Sequence, residues 1–182
     1  MIKPEGWDSV EAVTNEFDRL PAGGYVCKIV QAQDTNSKSG KPMLVLLLDI
    51  AEGKYKDYFA KQFDLAKKYN PDSAKWRACS YHLYDKDNMG RLKGTLELIV
   101  RNNAGYVWNW DEKTLKNKKI GVIFREREYI NNSGQTRTAL EVYQLHNVEG
   151  VEDIPIPEKK TLEPPAYIND FGNVDPNEEV PF

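Results

Sequence analysis

Cysteine and histidine are scarce in this chain of 182 residues: Cys27, Cys79, His82 and His146 are all it has. The cysteines are far apart and form neither a CxxC unit nor Cys/His metal spacing. That excludes a zinc module and points to small buried thiols in a reducing, cytoplasmic setting. The histidines fall in different segments without HExxH, and no GxSxG, Walker A or GxGxxG run occurs. Gly121 and Gly134 read as packing or turn glycines rather than parts of a phosphate cradle. The acidic pairs Asp85/Asp87 and Asp111/Glu112 read as solvated loop carboxylates, not a magnesium site. No catalytic residue, metal or cofactor is therefore expected, and the chain does not read as an enzyme. Its longest apolar run, Met43 to Leu48, is too short to cross a bilayer, and Met1-Ile2-Lys3-Pro4 leads into polar sequence rather than a signal peptide.

What is present is an ordinary soluble composition, 40% hydrophobic and 29% charged, with an uneven charge distribution. Residues 151–182 carry eight acids against Lys159 and Lys160, a net −6, so the remainder is +3 within a total of −3. A basic body suits polyanions, and an acidic tail suits a basic partner. Six of the ten prolines also lie beyond Gly150. That segment is expected to be a flexible linker reaching about 30 Å if it scales as a coil. The domain is therefore placed at residues 1–150 and the tail at 151–182.

Hydrophobic periodicity divides the body. Residues 8–20 predict a short amphipathic helix, with Asp8 as cap, Glu11 at the capping-box position, Val10, Val13, Phe17 and Leu20 on one face, and Pro21 as stop. After Ala22-Gly23-Gly24, strands are predicted at Tyr25–Gln33, Pro42–Ile50 and Lys56–Phe63, with 34–41 as a polar loop. Residues 65–88 suit either helix or extended chain: Trp76, Cys79 and Leu83 have helical spacing, while Tyr81, His82 and Tyr84 suit a strand. Met89, Leu92, Leu96, Ile99 and Val100 predict a helix from about 88 to 103. Alternation then predicts a hairpin, Lys118–Ile130 and Thr136–Val148, around Asn131-Asn132-Ser133-Gly134. Three strands, a helix and two strands is the order of a mainly β, five-stranded OB-fold barrel. A small α+β sheet is the alternative.

Single-stranded nucleic acid is gripped by a positive groove along its phosphates and by rings on which bases stack. Lys54, Tyr55, Lys56, Tyr58, Phe59 and Lys61 interleave both residue types, although one face of that segment must be core. Arg125, Arg127 and Tyr129 share the face opposite Ile120, Val122 and Phe124, and Arg137 and Tyr143 extend it across the hairpin. Glu126 and Glu128 keep the local charge mixed. Trp76-Arg77 is a candidate contact loop, whereas Trp108-Asn109-Trp110 is expected to pack under the barrel end.

The chain finishes Asp175, Glu178, Glu179, Val180, Pro181, Phe182. An OB-like body followed by a Pro-rich acidic linker and an acidic–Val–Pro–Phe end resembles bacterial and phage single-stranded DNA-binding proteins, whose tails finish in aspartates followed by Ile-Pro-Phe. The segments Leu20–Ile29 (LPAGGYVCKI) and Ser39–Ile50 (SGKPMLVLLLDI), and the run Leu92-Lys93-Gly94 to Trp108-x-Trp110-x-x-Lys113, are similar to phage or mobile-element members. The resemblance implies a body that coats transient single strands without sequence preference. It also implies a tail that recruits replication, recombination or repair proteins, with Phe182 in an apolar pocket, its carboxylate on a base, and Glu178 and Glu179 over a basic rim. An RNA-binding or protein-adaptor module and a metal-dependent nuclease are the rivals. Membrane association is not implied, and self-association is compatible with it.

Overall fold

A computed structural model describes residues 3–5, 7–9 and 19–162. Of the predicted N-terminal helix, residues 10–18 lie outside the described residues. Trp7–Ser9 forms a single 3-10 turn, and Leu20 at the helix's far end is buried in the core.

Five strands make one open antiparallel sheet. They are β1 (Gly23–Asn36), β2 (Pro42–Ile50), β3 (Cys79–Leu83), β4 (Lys119–Ile130) and β5 (Thr136–His146), in the order β3-β2-β1-β4-β5. The long strand β1 serves both halves. Its start pairs with β4, Gly23 opposite Phe124, and its length from Cys27 to Asn36 pairs with β2. A register shift between Ile29 and Gln31 bends β1 between these two duties. Among the described residues no ladder joins the edges β3 and β5, although the two strands approach one another. The barrel is not closed by hydrogen bonds.

The inner face carries the core. Ile29, Leu44, Leu46, Leu48, Ile120, Val122 and Phe124 are buried, and Ile99 and Leu96 of helix α2 (Met89–Asn102) pack onto them. Gly121 shows how tight this is. A Cβ there would lie 2.2 Å from the carbonyl oxygen of Asn147, so no larger residue fits without backbone movement.

The predicted third strand, Lys56–Phe63, is a correction: this stretch enters helix α1 (Tyr58–Tyr69). Period-2 alternation over eight residues also places Phe59 with Phe63, and Tyr58 with Gln62, at the i,i+4 spacing of a helix. The following Leu65-Ala66-Lys67-Lys68 favours helix strongly. The deciding group lies elsewhere in the chain. Asp49, at the end of β2 and 1% exposed, accepts backbone hydrogen bonds from Phe59 (2.9 Å), Ala60 (3.1 Å) and its neighbour Ile50 (2.9 Å). It satisfies orphan donors at the start of α1, whose own N-cap residue Asp57 makes no side-chain cap. The third strand is instead β3, from the stretch that suited either state.

The body does not stop at 150. Val151 is fully buried with Val26 and Ile123 in a second small core, where a Cβ on Gly24 would meet its carbonyl at 1.7 Å. Beyond it, Lys160 bonds the free edge of β4, donating to the Glu126 carbonyl (2.9 Å) and accepting from Glu128 N–H (2.8 Å). Lys159 adds an ion pair to Glu128 at 2.7 Å. The first third of the expected linker is thus strapped to the sheet.

Candidate nucleic-acid interface

Arg125, Arg127 and Tyr129 lie on one face of β4, opposite Glu141, Ala139 and Arg137 of β5. Arg125 donates through Nη2 (2.5 Å) and Nε (3.1 Å) to Glu141 Oε1, and Arg127 Nε lies 3.3 Å from Glu141 Oε2. One carboxylate therefore holds two guanidinium groups. Each cation also covers a ring. Arg125 lies 4.4 Å from the centroid of Tyr143, and Arg127 lies 5.6 Å from that of Tyr129. Arg137, directly across from Tyr129, is exposed and donates to the Gln135 side chain at 2.8 Å. The predicted set on this hairpin does form one basic–aromatic surface.

That surface adjoins the open seam of the sheet. Between β3 and β5 runs a cleft of about 920 Å³, lined by Cys79–His82, by Val142–Leu145 and by the near face of α2. Two tyrosines flank it: Tyr81 on β3, 64% exposed, and Tyr143 on β5, 47% exposed. Arg91 and Arg101 of α2 add cations to the same cleft. Its floor is polar but neutral. His82 sits between Ser80 Oγ (2.9 Å from Nε2) and Thr95 Oγ1 (3.4 Å from Nδ1), and burial pushes its pKa down to about 4. The imidazole is uncharged at neutral pH. Cys79 also lines the cleft, and burial raises its thiol as it does that of Cys27, so neither is a ready thiolate.

The other predicted contact residues divide. Lys54, Tyr55 and Lys56 lie in the turns before α1, and Tyr58, Phe59 and Lys61 lie in its first turns, not on a strand. Phe59 is a correction as a stacking candidate. It is 5% exposed and packs 5.4 Å from Phe124. Tyr55 and Tyr58 belong to the same edge-to-face chain, which runs Tyr25–Tyr55–Tyr58–Phe59. Tyr58 also accepts hydrogen bonds from Leu20 N–H (3.2 Å) and from Gln62 (3.1 Å). Lys56 and Lys61 are exposed, and Lys54 lies 5.2 Å over the Tyr55 ring. Trp76 is anchored rather than free: its indole N–H donates to the Leu48 carbonyl (2.9 Å) and its ring packs on Phe63. Arg77 is exposed and shares a small bay with Arg19, Tyr58 and Phe59.

Sequence reasoning missed Tyr81, Arg91 and Arg101 as site residues. The exposed member of the alternating run Cys79–Leu83 was the available signal, but only the pairing of Tyr81 with Val45 fixes which way it faces. The terminal residues Asp175, Glu178, Glu179, Val180, Pro181 and Phe182 lie outside the described residues. Among the described residues no group of acids, histidines and cysteines could hold a metal ion, and no helix is long and apolar enough to cross a membrane. No curated protein matches the chain. Residues 8–76 match the model of a family described as a protein of unknown function, DUF669, a stretch that takes in β1, β2 and α1 and ends before the seam.

Proposed function

We propose that this protein is a non-catalytic, largely sequence-independent single-stranded DNA-binding protein of phage or mobile-element type, built on an OB-type barrel with an open seam. The strand order supports the fold: β1 pairs with both β2 and β4, a helix connects β3 to β4, and the edges β3 and β5 face each other. The observation that carries the function is the Arg125–Tyr143 stack beside a cleft with Tyr81 on its other wall. Rings of this kind accept any base, while Arg91, Arg101 and Arg127 supply charge for the phosphates. Residues 163–182, acidic and without a base, are proposed to recruit replication, recombination or repair proteins.

Fluorescence anisotropy with dT oligonucleotide, duplex DNA and RNA tests this. The dT oligonucleotide binds tightest, and Tyr81→Ala and Tyr143→Ala each weaken it by about 1–3 kcal/mol, the usual worth of one stacked base. Preference for duplex or RNA, or metal-dependent cleavage of any of the three, overturns the reading. Removal of residues 163–182 should abolish capture of the partner proteins while leaving dT binding in place.

A further inference from the structure

The far side of α2 carries a second feature that the hairpin surface does not use. Trp110 is 83% exposed, the most exposed of the large apolar side chains among the described residues, and its backbone sits at φ 66°. A bulky L-residue rarely adopts that conformation, and it persists only where the surroundings impose it. Here they do. Asn109 Oδ1 accepts from Asp111 N–H (3.2 Å), Asp111 Oδ1 accepts from Lys113 N–H (3.0 Å), and Thr114 Oγ1 donates to the Asp111 carbonyl (2.7 Å). The indole is held out by a braced turn.

Beneath it lies an almost wholly apolar groove of about 630 Å³ between α2 and residues 108–110, with Met89, Leu92 and Val100 on the helix side. Trp108, whose ring lies 6.0 Å from that of Trp110, lines the groove, and its buried Nε1 has no hydrogen-bond partner. The groove also adjoins the seam cleft, because Arg101 and Glu97 line both. The two bays are the two flanks of one helix, about 10 Å across.

Resting on the reading above, we infer that Trp110 is a second base-stacking platform, on which single-stranded DNA leaving the seam cleft stacks after crossing α2. Arg101 and Lys93 line the groove and are the cations available to phosphates of a strand crossing α2. Glu97 offsets part of that charge, its carboxylate lying 3.8 Å from Lys93. The ring supplies a sequence-tolerant face.

The test compares dT oligonucleotides of about 5 and about 15 nucleotides, lengths near the short and long ends of the range for one OB-type site. Trp110→Ala, a surface change, should weaken the longer oligonucleotide by roughly 5- to 150-fold, the equivalent of one stacked base, and leave the shorter one unchanged. Tyr81→Ala should weaken both. Trp110→Phe should restore most of the longer oligonucleotide's affinity. The longer oligonucleotide alone should quench the part of the tryptophan fluorescence that Trp110→Phe removes. Equal affinities of Trp110→Ala and wild type for the longer oligonucleotide overturn the inference while leaving the seam site standing. If wild type binds neither oligonucleotide, both fall. If a synthetic peptide of residues 170–182 quenches Trp110 while DNA binding ignores the substitution, the groove belongs to a peptide and the inference is overturned.

Discussion

Glu141 is the residue whose removal gives the sharpest test of whether the hairpin surface meets phosphates, as proposed. Its carboxylate takes Arg125 on Oε1 and Arg127 on Oε2, with side-chain exposures of 23% for Arg125, 42% for Arg127 and 26% for Glu141. Glu141→Gln keeps the size and one acceptor oxygen but removes the charge both guanidinium groups share. The folding cost is modest, since such partly exposed pairs contribute about 0–1 kcal/mol each. Both arginines are then free to neutralise up to two further phosphates. On a single strand each adds about −0.7 to the slope of log affinity against log salt. Over a fourfold salt change that is about 2.6-fold for one phosphate and about 7-fold for two. Glu141→Gln should therefore bind a dT oligonucleotide more tightly at low salt, with a steeper slope, and converge on wild type as salt rises. Anisotropy titrations at about 50 and 200 mM salt measure it, with a urea melt confirming the fold. Unchanged slope and affinity would refute the reasoning. So would weaker binding at an unchanged slope, because Glu141 would then be orienting Arg125 rather than competing for it.

Three further expectations concern the fold that carries the site. Asp49→Ala removes the acceptor for two backbone donors at the start of α1, Phe59 and Ala60, and for Ile50 N–H at the end of β2, and should cost about 3–5 kcal/mol in urea denaturation. Asp49→Asn should cost less, because it loses only the Ala60 bond on Oδ2. His82 has a folded pKa of about 4, below its unfolded value near 6.5. The unfolded chain therefore binds the extra proton, and this group's contribution is intact above about pH 6.5 and is lost as pH falls towards 4. The difference is roughly 3 kcal/mol, so the stability of His82→Gln should fall less steeply than that of wild type between those pH values. Gly121→Ala drives a methyl against the Asn147 carbonyl at 2.2 Å and should destabilise by about 1–3 kcal/mol without altering oligonucleotide contacts directly.

Much of the sheet was legible because its signals are local. β2 runs Pro42–Ile50 as predicted, α2 runs Met89–Asn102 within the predicted 88–103, and the Asn131–Gly134 connection joins β4 to β5. The failures share one cause: a distant partner decided them. Period-2 alternation made 56–63 look like a strand, and the group that turns it into a helix start is Asp49, on the strand before. β3 is only five residues long and takes its register from β2. The free-linker expectation stopped at a composition boundary, whereas Val151 is buried through its fit against Gly24 and Lys160 is held by the β4 edge. The site shows the same division. The β4 and β5 residues could be grouped from alternation alone, but Tyr81 and Arg101 meet Tyr143 only because β3, α2 and β5 converge at the seam. Trp108 packs on the core as expected, whereas its near neighbour Trp110, expected to pack with it, stays exposed on a backbone turn that periodicity does not encode.

The open seam connects these observations. A closed ladder between β3 and β5 would satisfy both edges and leave no space between Tyr81 and Tyr143 for a ligand. An unprotected edge invites pairing with another chain. Here α2 lies along the gap, with Arg91, Thr95 and Arg101 facing into it, so the seam is charged rather than bare. The lower half of β4 has the same problem on its other side, and Lys160 covers it. One exposed edge is closed by the chain's own strap, while the other is left open and furnished with rings and cations. That asymmetry is the arrangement the proposed single-strand site requires: one edge closed, the other open beside Tyr81, Tyr143 and the arginines of α2.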